Sequence, residues 1–219
     1  MQSANMIPPD PIGDPWPAEM TITVQNDSVG LLDLLWVREA WQLSPDGDVP
    51  PKLEVAPTAR RSTDRASQWQ REWSILWRAC LAHAAQDPDP LAFQRLRQTG
   101  EGSSERERLL QAFAGPSPRE FFGMAAFDDS YTEWMKVWLD NVSKRNAVPL
   151  ASTPERRVLV ALIPAWEAGL RRVITIPCSG EYTRLISPSA LVVTDRTRDD
   201  PRLYAEALSE FVEKDPRSI

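Results

Sequence analysis

Cysteine, histidine and glycine are scarce in this chain, and their scarcity excludes several kinds of site. Two widely spaced cysteines in 219 residues do not indicate a disulfide framework, and every scheme that needs an imidazole depends on the single histidine, His83. The nine glycines are scattered, so no glycine-rich phosphate loop is present. No apolar run approaches the ~20 residues of a membrane-spanning helix, and no secretory signal is visible. We therefore expect a cytoplasmic protein with reduced thiols, no membrane contact and no cofactor.

Basic residues are not in large excess anywhere, whereas acidic residues are concentrated at one end of the chain. Residues 1–57 carry nine acidic and two basic side chains, and the remaining residues are close to neutral. A general nucleic-acid-binding protein would show a basic surface, so we expect no nucleic-acid partner. Because five prolines fall within the first nineteen residues, residues 1–27 are predicted to form an extended acidic arm. The alternating run TITVQN after Met20 could add an edge strand.

Tryptophan is abundant, and five of the nine recur at helical spacing. Trp69, Trp73 and Trp77 lie four residues apart, which predicts a helix over 63–86 with one buried face. A second helix is predicted to begin with a capping box at Ser130 and Glu133. Its expected buried stripe is Tyr131, Trp134, Met135, Trp138, Leu139 and Val142. Rings at this spacing are more often core residues than a ligand box, so both stripes are interpreted as core.

The other helices are predicted from apolar periodicity and from their caps. One follows Ser28, and two shorter ones lie near 90–98 and 103–114. The tripeptide Thr153-Pro154-Glu155 begins a helix that runs to Gly169 and is apolar almost all round, which predicts burial on every side. A strand at 158–163 is the competing interpretation. The final helix is capped by Asp200 and Pro201, and its expected core residues are Leu203, Ala207, Leu208 and Phe211.

The stretch VITIPCSGEYTRLIS, residues 173–187, is the main candidate for chemistry. The spacing from Cys178 to Arg184 resembles the Cys-x5-Arg motif of cysteine-dependent phosphatases and some rhodanese-like enzymes. In such enzymes a strand delivers the thiol to a loop of inward-pointing amides, and the arginine clamps the anion. That resemblance implies a nucleophile at Cys178 and an anion clamp at Arg184.

The same stretch departs from the motif at several positions. Glu181 would place a carboxylate in the loop, Leu185 replaces the usual hydroxyl after the arginine, and LISPS does not begin a helix. A β-hairpin accounts for the pattern without chemistry: strands at 173–177 and 181–187 joined by a turn in which Gly180 is free to adopt positive φ. A third strand would follow at 191–194. The hairpin is the favoured interpretation, and the cysteine enzyme is the alternative.

Cys80 and His83 share one face of a predicted helix and form the second candidate site. A structural zinc site needs four ligands, and only Cys178 remains as a further soft donor. A packed thiol and a histidine near a helix C-terminus explain both residues, so no metal site is predicted.

Together these patterns predict an α+β protein with a mainly helical body of Trp-rich amphipathic helices. A small three-stranded antiparallel sheet near the C-terminus and a final helix complete residues 28–219 as one domain. The absence of a catalytic constellation favours a non-catalytic interaction, accessory or regulatory protein. Its expected partner is another protein or a second copy of itself.

Overall fold

A four-stranded sheet with helices on both faces forms the centre of the computed structural model, which describes residues 16–60, 65–87 and 91–214. The strands are β1 (Thr23–Gln25), β2 (Arg172–Ile176), β3 (Thr183–Ser187) and β4 (Ala190–Thr194). The helices of these residues are α1 (Val29–Ala40), α2 (Ala66–Ala84), α3 (Ala92–Gln98), α4 (Ser104–Ala114), α5 (Pro118–Phe122), α6 (Asp129–Asn146), α7 (Pro154–Arg157), α8 (Leu159–Glu167), α9 (Asp195–Asp199) and α10 (Pro201–Glu213). The predicted α+β class and the final helix are confirmed.

The strand order is β1-β2-β4-β3, with β1 and β4 parallel to β2 and β3 antiparallel to β4. The strand predicted after Met20 therefore exists at one edge, and the sheet has four strands rather than three. The predicted hairpin between 173–177 and 181–187 is wrong, because β4 lies between β2 and β3. The burial pattern gives the reason. Strands β2 and β4 are buried along their whole length, as central parallel strands are, while β3 is half-buried at the other edge.

Alternate side chains of β2 point to opposite faces of the sheet and join two separate apolar clusters. Ile174 and Ile176 pack with the tryptophans of α1, α2 and α6. Val173 packs on the other face with residues of α8 and α10. The fold therefore has three layers, with the Trp-rich helices on one side of the sheet and the C-terminal helices on the other.

The Trp-rich helices bury the predicted rings. Two details of α6 differ from the prediction: the exposure of Leu139 and the residue that caps the helix. Trp73 is fully buried, and its indole Nε1 donates a 2.7 Å hydrogen bond to the carbonyl of Leu34. Leu139 was expected in the buried stripe but is half exposed, since it lies beyond the edge of the face that contacts the body. The N-cap is Asp128, whose carboxylate accepts from the amide of Ser130, so the predicted capping box at Ser130 is wrong.

The segment predicted to be one helix from Thr153 to Gly169 is divided at Val158 into α7 and α8. Residues 158–163 are thus helical and not a strand. Only one side of α8 is buried, by Leu159, Leu162 and Ala165. Val160 is 92% exposed, so the prediction of burial on every side is wrong for the isolated chain.

The predicted acidic arm falls mostly on residues 1–15, which lie outside the described residues. At the first described residue, the indole of Trp16 donates a hydrogen bond to the carbonyl of Met20 over 2.9 Å. Met20 is buried in the apolar cluster that contains α8 and α10. Across the described ranges, no helix combines the length and the apolar character that crossing a bilayer requires.

Candidate functional site

An open cleft of about 860 Å³ lies beside the Trp-rich layer and is the main candidate site. Its walls come from the start of α1, the end of α2, helices α3 and α4, and the segment that enters α5. Apolar side chains, among them Val29, Leu109 and Phe113, line it together with a similar number of polar and charged ones. The cleft is therefore of the kind that accommodates an apolar ligand or an apolar segment of a protein.

The floor of the cleft is fixed by a buried carboxylate, Asp33, which is 2% exposed. It accepts hydrogen bonds from the hydroxyl of Tyr131 at 2.5 Å and from Nε of Arg119 at 2.9 Å. The hydrogen bond to Asp33 raises the pKa of Arg119, while burial and the Asp33 carboxylate raise the pKa of Tyr131. Arg119 therefore stays charged and Tyr131 stays neutral near neutral pH, and the arrangement is a rigid support rather than an acid–base pair.

One wall is held by Arg172, a buried cation at the first position of β2. Its Nη1 donates to the carbonyls of Ala84 and Gln86, at 3.0 and 2.6 Å, and its Nη2 reaches Asp87. A cation at the C-terminal carbonyls of a helix satisfies otherwise unpaired acceptors and opposes the helix dipole. Arg172 thus ties the end of α2 to the sheet and sets the width of the cleft.

The opposite wall is α4, which has no buried residue over its eleven positions. Its apolar side chains lie toward its C-terminal half, where Leu110 is 45% and Phe113 is 42% exposed. The helix packs mainly against α3, and the guanidinium of Arg106 on α4 donates to the carbonyl of Leu96 over 2.8 Å. An apolar helix face held over a cleft without being buried there is the feature that most needs a functional explanation.

Cys80 and His83, the second candidate site from the sequence, lie in the wall of this cleft, where both residues have packing roles. Cys80 is buried beneath α1, so close that a Cβ on Gly30 would lie 3.0 Å from its sulfur. The ring of His83 fills the space beside Gly115, where φ is +69° and a Cβ would lie 2.3 Å from the imidazole. In the described ranges, no three His, Cys, Asp or Glu side chains are grouped as metal ligands.

Cys178 follows β2 and is buried under the segment that contains Leu53. Two of the amides that would have to cradle an anion are already engaged. That of Cys178 donates to the carbonyl of Ile176 at 2.8 Å, and that of Ser179 to the carbonyl of Lys52 at 2.9 Å. Burial raises the pKa of the Cys178 thiol to about 12, which disfavours the thiolate that a nucleophile needs.

Arg184 lies on β3, where its guanidinium forms an ion pair with Asp48. The hydroxyl of Tyr182 donates to the same carboxylate over 3.1 Å. Since β4 separates β2 from β3 and neighbouring strands are roughly 4.8 Å apart, Arg184 is about two strand spacings from β2, the strand that precedes Cys178. The two candidate residues are therefore directed into different contacts.

Alkylation of Cys178 tests the enzyme alternative directly. In a Cys80→Ala variant at pH 8, we expect iodoacetamide to modify Cys178 roughly a thousandfold more slowly in the native protein than in urea. The reason is that a pKa near 12 leaves about a thousandth of the thiolate that the ordinary pKa of 9.0 allows. Phosphate should not change the rate. Rapid labelling at pH 7 that phosphate suppresses would instead support the nucleophile and the anion clamp.

No family model, no curated protein and no solved structure matches this chain. Function must therefore be argued from the geometry of its own surfaces, without support from a fold-level analogy.

Sequence reasoning missed the cleft, although one signal for its outer wall was present. In the sequence of α4, four consecutive charged residues are followed by the apolar residues Leu109, Leu110 and Phe113. Glycines separate this helix from α3 and α5. Glycines at both ends of a short amphipathic helix indicate a separately placed element. The contact between Asp33 and Arg119, which are far apart in sequence, left no local signal.

Proposed function

We propose that this protein is a non-catalytic accessory protein that binds an apolar segment of a partner protein in the cleft between α1, α2 and α4. The observation that supports this proposal most strongly is the unburied apolar face of α4 above a cleft that also has apolar side chains on its other walls. Exposed apolar surface of this kind marks interaction sites in monomeric proteins. An amphipathic helix or extended segment inserted into such a groove is a recurrent mode of recognition.

The polar groups around the cleft support binding rather than turnover. The carboxylate of Asp33 is committed to Tyr131 and Arg119, and the guanidinium of Arg172 is committed to the end of α2. Groups that are fully hydrogen-bonded to the protein are suited to holding the walls in place. An open site also fits a peptide segment better than a small molecule, which needs enclosure on most sides.

Helix α4 has a glycine-containing turn at each end, which would let its position adjust to a bound segment. Gly102 precedes it with φ +73° and Gly115 follows it with φ +69°. These conformations favour glycine, and they place a turn at each end of a helix whose main packing partner is α3. We expect bound peptide to order α4 and slow the hydrogen exchange of its amides.

The test uses peptides selected from a random twelve-residue display library on the full-length protein, with affinities measured by fluorescence anisotropy. Phe113→Ser is expected to weaken binding of the selected peptides by more than about tenfold, because apolar contacts in the cleft supply the affinity. Val137→Ser is the matched control, since Val137 is similarly exposed but lies on α6.

Two results would contradict the proposal. The first is a selection that enriches no apolar peptide on the wild-type protein. The second is equal binding of the selected peptides to the wild type and to Phe113→Ser, with circular dichroism showing that both are folded. Either result would remove the cleft as the interaction site.

A further inference from the structure

The outward side of α8 carries an apolar surface that the described part of the chain leaves exposed. Apart from Glu167 at its last position, α8 contains no charged side chain, although Val160 is 92% exposed and Pro164 is also exposed. Surface helices normally place charged residues on the side that faces water, and helices that are apolar all round are buried. We propose that a second copy of this chain covers this side of α8 in a two-fold symmetric dimer.

The shape of this surface suits a second copy. A groove of about 530 Å³ runs between α8 and α10, and the small side chains of Ala161, Ala205 and Ser209 line it. Val160 projects from the same surface. A two-fold interface is made by one patch on both subunits, so a projection and a hollow must lie side by side on that patch. In the dimer, Val160 of each copy packs into the groove of the other.

The charges of the groove are also self-complementary. Arg157 and Glu213 line it and are exposed. Other charged residues of α10 are paired within the helix, as Arg202 is with Glu206 and Lys214 with Glu210. Among the described residues, Arg157 and Glu213 have no such pair. A two-fold axis through the groove would let Arg157 of each copy meet Glu213 of the other, giving two equivalent ion pairs.

Sedimentation velocity of the full-length protein, from micromolar to submillimolar concentration, tests the dimer. The wild type is expected to shift from monomer to dimer as concentration rises. Val160→Glu is expected to raise the dissociation constant more than about tenfold while leaving circular dichroism unchanged, because this side chain makes few contacts within the monomer. Leu139→Glu, at an exposed apolar position of α6, is the matched control and should dimerise like the wild type.

A mixing experiment distinguishes a second copy from any other partner. Arg157→Glu and Glu213→Arg should each weaken self-association, since each places like charges opposite one another. An equimolar mixture of the two variants should dimerise again, because every charge then meets its opposite across the interface. A wild type that stays monomeric, a Val160→Glu variant that dimerises normally, or a mixture no better than its components would each overturn the proposal.

Discussion

Replacing Arg198 with methionine is expected to lower the free energy of unfolding by about 3–5 kcal/mol. The guanidinium of Arg198 holds the buried carboxylate of Glu155 through two hydrogen bonds, Nε to Oε1 at 2.8 Å and Nη2 to Oε2 at 2.9 Å. Burial alone would lower the pKa of Arg198, but the Glu155 carboxylate outweighs it and the pKa is raised. Methionine keeps most of the side-chain volume and leaves Glu155 as a buried charge without its counter-ion.

Urea unfolding of Arg198→Met and of two comparison variants isolates this effect. Tyr204→Phe removes only a 3.3 Å hydrogen bond to Glu155 and should cost about 1 kcal/mol. Combining Glu155→Gln with Arg198→Met should recover part of the loss, because the uncompensated charge is then gone. A loss below about 1 kcal/mol for Arg198→Met would show that water reaches the Glu155 carboxylate once its partner is removed.

Trp73→Ala is expected to have an effect of similar size, about 3–5 kcal/mol, for a different physical reason. The ring of Trp73 is fully buried and stacks on that of Trp77, with centroids 5.2 Å apart and an interplanar angle of 12°. The guanidinium carbon of Arg38 lies 5.8 Å from its centroid. Alanine would leave a cavity between α1 and α2 that rigid neighbouring helices cannot fill.

Trp73→Phe is the control, since it keeps an aromatic ring and removes the hydrogen bond from Nε1 to the carbonyl of Leu34. We expect it to cost about 1–2 kcal/mol, well below the alanine variant. Unfolding midpoints in urea, with unchanged m-values, give the loss of unfolding free energy for both variants. If alanine and phenylalanine were equally destabilising, the hydrogen bond and not the packed volume would be the dominant contribution.

Local sequence patterns predicted the elements of this fold well, because the signals are contained within single helices or strands. The cap formed by Asp200 and Pro201, the four-residue spacing of Trp69, Trp73 and Trp77, and the apolar segments of the strands each depend on near neighbours. The pairing of the strands does not. It depends on the fact that β2 and β4 both require full burial. This can be recognised only by comparing two strands that are apart in sequence.

The candidate cleft was beyond sequence reasoning for a related reason. The apolar stripe of α4 looks the same whether Leu109 and Phe113 enter the core or face an open groove, since periodicity records amphipathicity and not what covers it. In the same way, the apolar character of α8 indicated burial, but the pattern could not tell that one side of this helix would be exposed in the described part of the chain.

The position of β1 has a consequence for how the chain folds. Strands β3 and β4 are neighbours in sequence, so they can pair through a short turn. Strand β1 can pair with β2 only when Thr23 and Arg172, which most of the chain separates, come together. Closing so long a loop has a large entropic cost that is recovered only when the far strand is in place. We therefore expect the sheet to be completed from its C-terminal side, with the three residue pairs of β1 as the last part of it to form and the first to exchange their amide hydrogens.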